Sequence, residues 1–153
     1  IESIEEAMRC VDAVGQAALT LTAGDVVQSV RMLSKLQPLH SETGAVHAAG
    51  FYVPGQGIVA AREDVGRHNA LDKLIGALAQ ARHDVHTGFV LVTSRASFEM
   101  VQKTAAVGIP ILAAVSAPTG YAIRVARDCG LTLVGFVRAG RHTIYAHPER
   151  VTK

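Results

Sequence analysis

The feature that most constrains the fold is a pair of short, uninterrupted apolar runs, residues 89–92 (Phe-Val-Leu-Val) and 111–115 (Ile-Leu-Ala-Ala-Val). Runs of this length are typical of strands buried on both faces of a sheet. Each run is followed by a stretch that is expected to be helical and ends at a glycine. The first helix can be capped by Ser97, and the second is expected to start at Thr119-Gly120. The alternation of buried strands and helices predicts a mainly parallel sheet that is covered by helices on both faces.

The flanking segments add hairpins, which make the predicted sheet mixed. Their strands are expected over residues 45–53 and 58–63, and again over 131–137 and 143–147. A further helix is expected over 67–82, and residues 1–43 read as two amphipathic helices, the second of which stops before Pro38. We therefore predict an α/β chain with two parts: a helical lead-in over 1–43 and a three-layer α/β/α sandwich over 44–153.

Composition excludes several classes of protein. Of the 153 residues, 49% are hydrophobic and 18% are charged, so the chain can bury a core and is not disordered. The net charge is only +2, which argues against non-specific nucleic-acid binding. Polar residues or glycine interrupt every long apolar stretch, which argues against a membrane span. The two cysteines form no Cys-x-x-Cys, so we expect reduced, buried thiols in a cytoplasmic protein.

Three predicted strand-to-helix junctions carry residues suited to binding an anion. They cover residues 62–69, 93–99 and 116–121, and the first two contain Arg62, Arg67 and Arg95. Ligands of open α/β sheets bind beyond the carboxyl ends of the strands, where helix N-termini offer free N–H groups. An arginine gains nothing from the positive end of a helix dipole, so a bound anion such as a nucleotide is the better account of all three junctions together.

Simpler explanations remain open for single residues. Arg62 and Arg67 could pair locally with Glu63 and Asp64, Asp64 could bond the backbone of its own turn, and His68 could bond backbone at the helix start. The His83-x-x-His86 spacing resembles part of a metal site, but no cysteine lies nearby, and we expect no metal there.

The order hairpin, helix, strand, helix also opens the zinc-dependent nucleobase deaminases, which carry His-x-Glu and Pro-Cys-x-x-Cys at the two helix starts. The matching places in this chain hold His68-Asn69-Ala70 and residues 94–97 (Ser-Arg-Ala-Ser). Because the glutamate is replaced by alanine and both cysteine ligands are missing, zinc-dependent deamination is excluded. The analogy supports a shared scaffold alone.

Three motifs resemble the formate dehydrogenase accessory sulfurtransferase family, FdhD. They are residues 43–49 (Thr-Gly-Ala-Val-His-Ala-Ala), 62–73 (Arg-Glu-Asp-Val-Gly-Arg-His-Asn-Ala-Leu-Asp-Lys) and 94–103 (Ser-Arg-Ala-Ser-Phe-Glu-Met-Val-Gln-Lys). The resemblance extends through residues 108–110 and 116–119 to the end of the chain, and the second and third motifs are long enough to be specific.

This resemblance implies a cytidine-deaminase-like fold and a cytoplasmic sulfur carrier. Such a protein takes persulfide sulfur from a cysteine desulfurase and passes it to the molybdenum or tungsten bis-guanine-dinucleotide cofactor that formate dehydrogenase needs. Carried over motif by motif, the implied cofactor and guanine-nucleotide contacts are Arg62, Asp64, Gly66, Arg67, His68, Asn69, Ser94, Arg95, Ser97, Thr119 and Gly120.

The chain departs from the family in one respect. The family's sulfur-carrying Cys-x-x-Cys lies just upstream of the helix that begins this chain, and neither Cys10 nor Cys129 takes its place. We therefore expect a C-terminal portion of a longer polypeptide that binds cofactor, has no catalytic residue of its own and takes no zinc. The alternative is a non-catalytic nucleotide-binding or partner-docking domain, and a homodimer is compatible with either.

Overall fold

The structure, a computed structural model, describes residues 19–36, 46–138 and 141–152. The helices of these ranges are α1 (Ala23–Lys35), α2 (Arg67–Gln80), α3 (Phe98–Ala106) and α4 (Gly120–Cys129). The strands are β1 (Leu21–Thr22), β2 (His47–Val53), β3 (Gly57–Asp64), β4 (Phe89–Val92), β5 (Ile111–Ala114), β6 (Thr132–Arg138), β7 (Arg141–Ala146) and β8 (Val151–Thr152). The helix expected at the start of the lead-in lies outside the described residues.

The main sheet has six strands in the order β3-β2-β4-β5-β6-β7. Only the β4–β5 and β5–β6 pairs are parallel, whereas the β2–β3, β2–β4 and β6–β7 pairs are antiparallel. A mixed sheet is therefore confirmed, but the expectation of a mainly parallel one is wrong. The reason is that each of the two hairpins contributes one antiparallel pair. A third comes from β2, which runs in the opposite direction to its other neighbour, β4. A separate two-stranded parallel sheet joins β1 to β8.

Helices cover both faces of the main sheet. On one face α2, α3 and α4 pack against Phe51, Val90, Val92 and other side chains of the strands. On the opposite face α1 packs through Val26 and Leu33 against the alternate strand residues, such as Tyr52 and Leu91. This alternation follows from the two-residue period of a strand. The main sheet is thus the middle one of three packed layers.

The helix boundaries follow local capping chemistry. Thr22 and Asp25 form a reciprocal capping box at the start of α1, while Ser97 and Thr119 cap α3 and α4 by accepting from Met100 N and Ala122 N. Gly130 ends α4 with a φ of +74°, a conformation that favours glycine. The predicted cap at Ser97 is confirmed, and α4 begins at the expected place, Thr119-Gly120.

Cys129 is completely buried at the end of α4, as a packing residue would be. It is disulfide-bonded, however, and its partner lies outside the described residues. The expectation of a reduced thiol is therefore wrong for Cys129. The distance between two cysteines along the sequence does not show whether the fold brings their sulfur atoms together.

Two glycines provide a matched stability test. A Cβ on Gly88 would collide with the Tyr52 carbonyl oxygen and would lie 2.8 Å from Phe51 Cζ, whereas a Cβ on Gly76, inside α2, would meet nothing within 4 Å. We expect Gly88→Ala to lower the free energy of unfolding by about 1–3 kcal/mol and Gly76→Ala to raise it by about 0.5–1 kcal/mol. Denaturant unfolding of both variants checks this, and equal effects would contradict the packing at Gly88.

Candidate anion-binding site

A cavity of about 270 Å³ lies at the sheet edge where β4 and β5 end and β2 begins. Its walls are formed by His47, Arg67, Ser94, Arg95, Ser97 and Thr119. The three junctions singled out in the sequence therefore meet at one place: Arg67 comes from the first junction, the two serines and Arg95 from the second, and Thr119 from the third.

Backbone hydrogen bonds beyond the strand ends hold these junctions together. Thr93 N donates to Ala48 O over 3.1 Å, and Ala48 N donates to Thr93 Oγ1 over 2.9 Å, which sets His47 beside Ser94. Ala96 and Pro118 form an isolated parallel bridge, and Thr119 N donates to Ala96 O over 3.0 Å. The backbone of the cavity walls thus continues the hydrogen-bonded ladder of the sheet, which brings His47, Ser94 and Thr119 together.

Positive charge converges on the cavity. The N-terminal ends of α2, α3 and α4 all lie there, and Gly66, the N-cap of α2, provides no side-chain hydrogen bond to that helix. Arg67 and Arg95 are exposed and pair with no carboxylate in the part of the chain that the structure describes. Two unpaired guanidinium groups beside helix N-termini are electrostatically unfavourable without an anion. The arrangement therefore suits a phosphate or a similar group.

Asp64 shapes the loop that carries Arg67. Its Oδ2 lies 2.6 Å from Lys73 Nζ, and its Oδ1 accepts from Gly66 N at 2.9 Å and from Asn69 Nδ2 at 3.5 Å. The Lys73 hydrogen bond, then the Gly66 N–H, lower the pKa of Asp64 from 3.8 to about 2. The carboxylate thus stays ionised and holds the turn, as the turn-bonding interpretation predicted. It pairs with Lys73, and not with either of the arginines considered as its local partners.

The other expected contacts do not line the cavity. Arg62 lies along a separate groove beside β3, where its Nη1 donates to Ala61 O over 2.6 Å. Gly66, His68 and Asn69 belong to the start of α2, and Gly120 is the exposed first residue of α4. Their contact with a ligand stays a prediction.

His47 lines the cavity but was not among the expected site residues. It is part of the motif over residues 43–49, and that motif was the only signal for it. Its place depends on β2 running antiparallel to β4, which brings the start of β2 to the carboxyl end of β4. Strand direction cannot be read from the hydrophobic pattern of β2, so the sequence did not reveal this neighbour.

Among the described residues, no three His, Cys, Asp or Glu side chains are grouped so that they could hold a metal ion. His83 and His86 are both exposed, in and beside the short 3₁₀ turn Val85–Thr87. The position that corresponds to the deaminase glutamate is Ala70, whose side chain is buried in the core. None of the helices in the described ranges is both long and apolar enough to cross a bilayer.

This geometry defines a candidate anion-binding site at the strand ends of a three-layer α/β fold with a mixed sheet. Residues 1–152 match the model of the FdhD/NarQ family, and the chain belongs to that family. It is 54% identical over 151 residues to a protein named sulfur carrier protein FdhD from Bordetella bronchiseptica, covering 99% of this chain and 54% of that protein. A protein of the same name from Cupriavidus necator is 53% identical, with 98% and 52% covered.

A solved structure shares the fold. The crystal structure of a candidate formate dehydrogenase accessory protein from Desulfotalea psychrophila superimposes with a TM-score of 0.88 and 30% identity, covering 97% of this chain and 62% of that one. The coverage of the two named relatives, 54% and 52%, means that this chain spans about half the length of the curated relatives it matches. The family resemblance expected from the three motifs is confirmed.

Replacing Lys73 tests the electrostatics of the Asp64 loop. We expect Lys73→Ala to raise the pKa of the Asp64 carboxyl from about 2 towards its ordinary 3.8, measured by NMR titration of the side-chain carboxyl carbon. Because the folded-state pKa lies below the unfolded one, this carboxylate stabilises the fold above about pH 4, and that contribution is lost as the pH falls towards 2.

The control is Lys103→Ala, which removes the other lysine pair, with Asp72, and leaves Asp64 in place. It should not move the Asp64 titration. An unchanged midpoint in Lys73→Ala would mean that Lys73 does not set the pKa and that the hydrogen bonds from Gly66 N and Asn69 Nδ2 do.

Proposed function

We propose that this chain is the cofactor-binding part of a sulfur carrier protein that serves formate dehydrogenase. The ligand we propose is the molybdenum or tungsten bis-guanine-dinucleotide cofactor, bound as a substrate by its phosphate and guanine-nucleotide portion. The observation that carries this proposal is a pair of guanidinium groups, Arg67 and Arg95, which share one cavity with three helix N-termini and have no carboxylate partner among the described residues.

The size of the cavity sets what it can hold. About 270 Å³ is just below the range of about 300–1,000 Å³ that is usual for pockets that enclose a small ligand. We therefore propose that it takes the diphosphate of one nucleotide, while the remainder of the cofactor lies across the open sheet edge. Arg67 and Arg95 would donate to phosphate oxygens, and the hydroxyls of Ser94, Ser97 and Thr119 could accept from or donate to the sugar and phosphate.

Sulfur transfer needs an accessible thiolate, and the described part of this chain offers none: Cys129 is buried and disulfide-bonded. We propose that the sulfur-carrying Cys-x-x-Cys is supplied upstream of residue 1, so that this chain binds and positions the acceptor. A cysteine desulfurase as sulfur donor, formate dehydrogenase as recipient, a homodimer and a cytoplasmic location complete the proposal. The name of the relatives, sulfur carrier protein FdhD, supports the sulfur-carrier role.

We also propose that the fold is cytidine-deaminase-like and that the protein functions without zinc. Its support is the arrangement of the β2–β3 hairpin, α2, β4 and α3, in which the helix starts of α2 and α3 both reach the cavity. The positions that would carry the glutamate and the cysteine ligands of a deaminase hold Ala70, Ser94 and Ser97.

Calorimetric titration with GDP, and with ADP at the same salt concentration, tests the binding proposal. Arg67→Ala and Arg95→Ala should each weaken GDP binding about ten- to hundredfold, because a hydrogen bond to a charged group contributes about 1.5–3 kcal/mol. Selective binding of GDP would support a guanine-nucleotide pocket. Undiminished binding in both variants would refute the site.

Two further arginines serve as controls. Arg31→Ala removes an exposed arginine from α1, on the opposite face of the sheet, and should leave GDP binding unchanged. Arg62→Ala distinguishes two predictions about GDP binding. The family motif predicts weaker binding in this variant, whereas the position of Arg62 outside the cavity predicts little change. Constant salt is essential, since exposed ion pairs are screened.

A further inference from the structure

A second cavity, of about 290 Å³, lies at the other edge of the sheet, near the amino ends of β4 and β5. Its walls are mostly apolar and include Ile75 of α2 and the Val107 and Ile109 side chains that follow α3. At its mouth lie Arg82 and His83, and no aspartate or glutamate of the described chain lines it. The two cavities are therefore separated by the length of the central strands.

Arg82 adopts a backbone conformation that is unfavourable for it. Its φ is +54°, and it occupies the position after the helix end where glycine is preferred. His83 N donates to Leu78 O over 3.1 Å, and Arg82 N to Ala79 O over 3.2 Å, which is the hydrogen-bond pattern of a Schellman motif. Backbone strain of this kind concentrates at functional sites, and glycine would relieve it.

The Arg82 side chain has no structural use that would compensate for this strain. It is exposed, and it forms no ion pair and no hydrogen bond within the described ranges. The nearest acidic residue in sequence is Asp84, whose Oδ1 accepts from His86 N at 3.0 Å and so caps the next turn. The guanidinium at the mouth of this apolar cavity thus has unused hydrogen-bonding capacity.

We propose that this cavity is a docking site for a partner protein, which inserts one large apolar side chain next to a carboxylate. The volume supports a side chain of this size, since a cavity of about 150 Å³ already holds a benzene ring. The exposed edge of the cavity, where Val107 is 39% accessible, is open enough for a chain segment to reach. Arg82 pairs with the carboxylate, and His83 adds a second donor at the mouth.

Charge complementarity decides the type of partner. Arg82 lies at the mouth, Asp84 is not among the lining residues, and no carboxylate of the described residues lines the cavity, which favours an acidic segment over a basic or neutral one. Because the site is at the opposite edge from the anion-binding cavity, a partner can dock without covering Arg67 or Arg95. The inference rests on this cavity alone and does not depend on the nucleotide proposal.

The test is an NMR titration of the isotope-labelled full chain with N-acetyl-leucine, which carries an apolar side chain and a carboxylate. The matched neutral probe is N-acetyl-leucinamide. We expect saturable shifts in the millimolar range at Ile75, Arg82, Val85 and Val107, and about five- to tenfold weaker binding of the amide. Shifts scattered over the surface, or equal binding of both probes, would overturn the proposal.

Arg82→Gly separates binding from folding. It should raise the melting temperature by about 2–4 °C, because it relieves the positive φ, and should abolish the preference for the carboxylate probe. Arg124→Ala, an exposed arginine on α4, should change neither. A changed oligomeric state in Arg82→Gly would mean that a second copy of the chain covers the cavity, and would overturn a partner protein as its occupant.

Discussion

The site depends on the direction of the strands at the centre of the sheet. β4, β5 and β6 run parallel, so the carboxyl ends of β4 and β5 lie at one edge, where the chain must leave the sheet and begin a helix. β2 runs the opposite way and therefore begins at that same edge. This single constraint gathers three helix starts and the start of β2 around one cavity.

The charges at that edge serve different purposes. Asp64, Lys73 and the Gly66 N–H form a satisfied local network that shapes the first loop. Arg67 and Arg95 have no carboxylate partner among the described residues and lie against the helix dipoles, which is unfavourable for the free protein and is consistent with the anion site that we propose. Arg82 is also in an unfavourable situation, because its backbone adopts a positive φ that suits glycine. Both conflicts are consistent with the two binding sites that we propose, since local conflicts are tolerated where binding uses them.

Much of the fold was predictable because it rests on local chemistry. The strand over 89–92, the N-cap Ser97 and the helix start at Thr119 match the structure, since apolar runs and capping hydroxyls act within a few residues. The direction of β2 was not predictable. It is buried along almost its whole length although it pairs antiparallel on both sides, so its pattern resembles that of a parallel strand.

The sequence by itself determined the helix starts, the buried strands, the arginines beside them and the motifs that indicate the family, because each is encoded by neighbouring residues. Only the tertiary structure decided which of those residues share a cavity. It placed His47 beside Ser94, left Arg62 on another surface and paired Asp64 with Lys73. The physical reason is that these relations depend on strand order and direction, which arise from packing between distant segments.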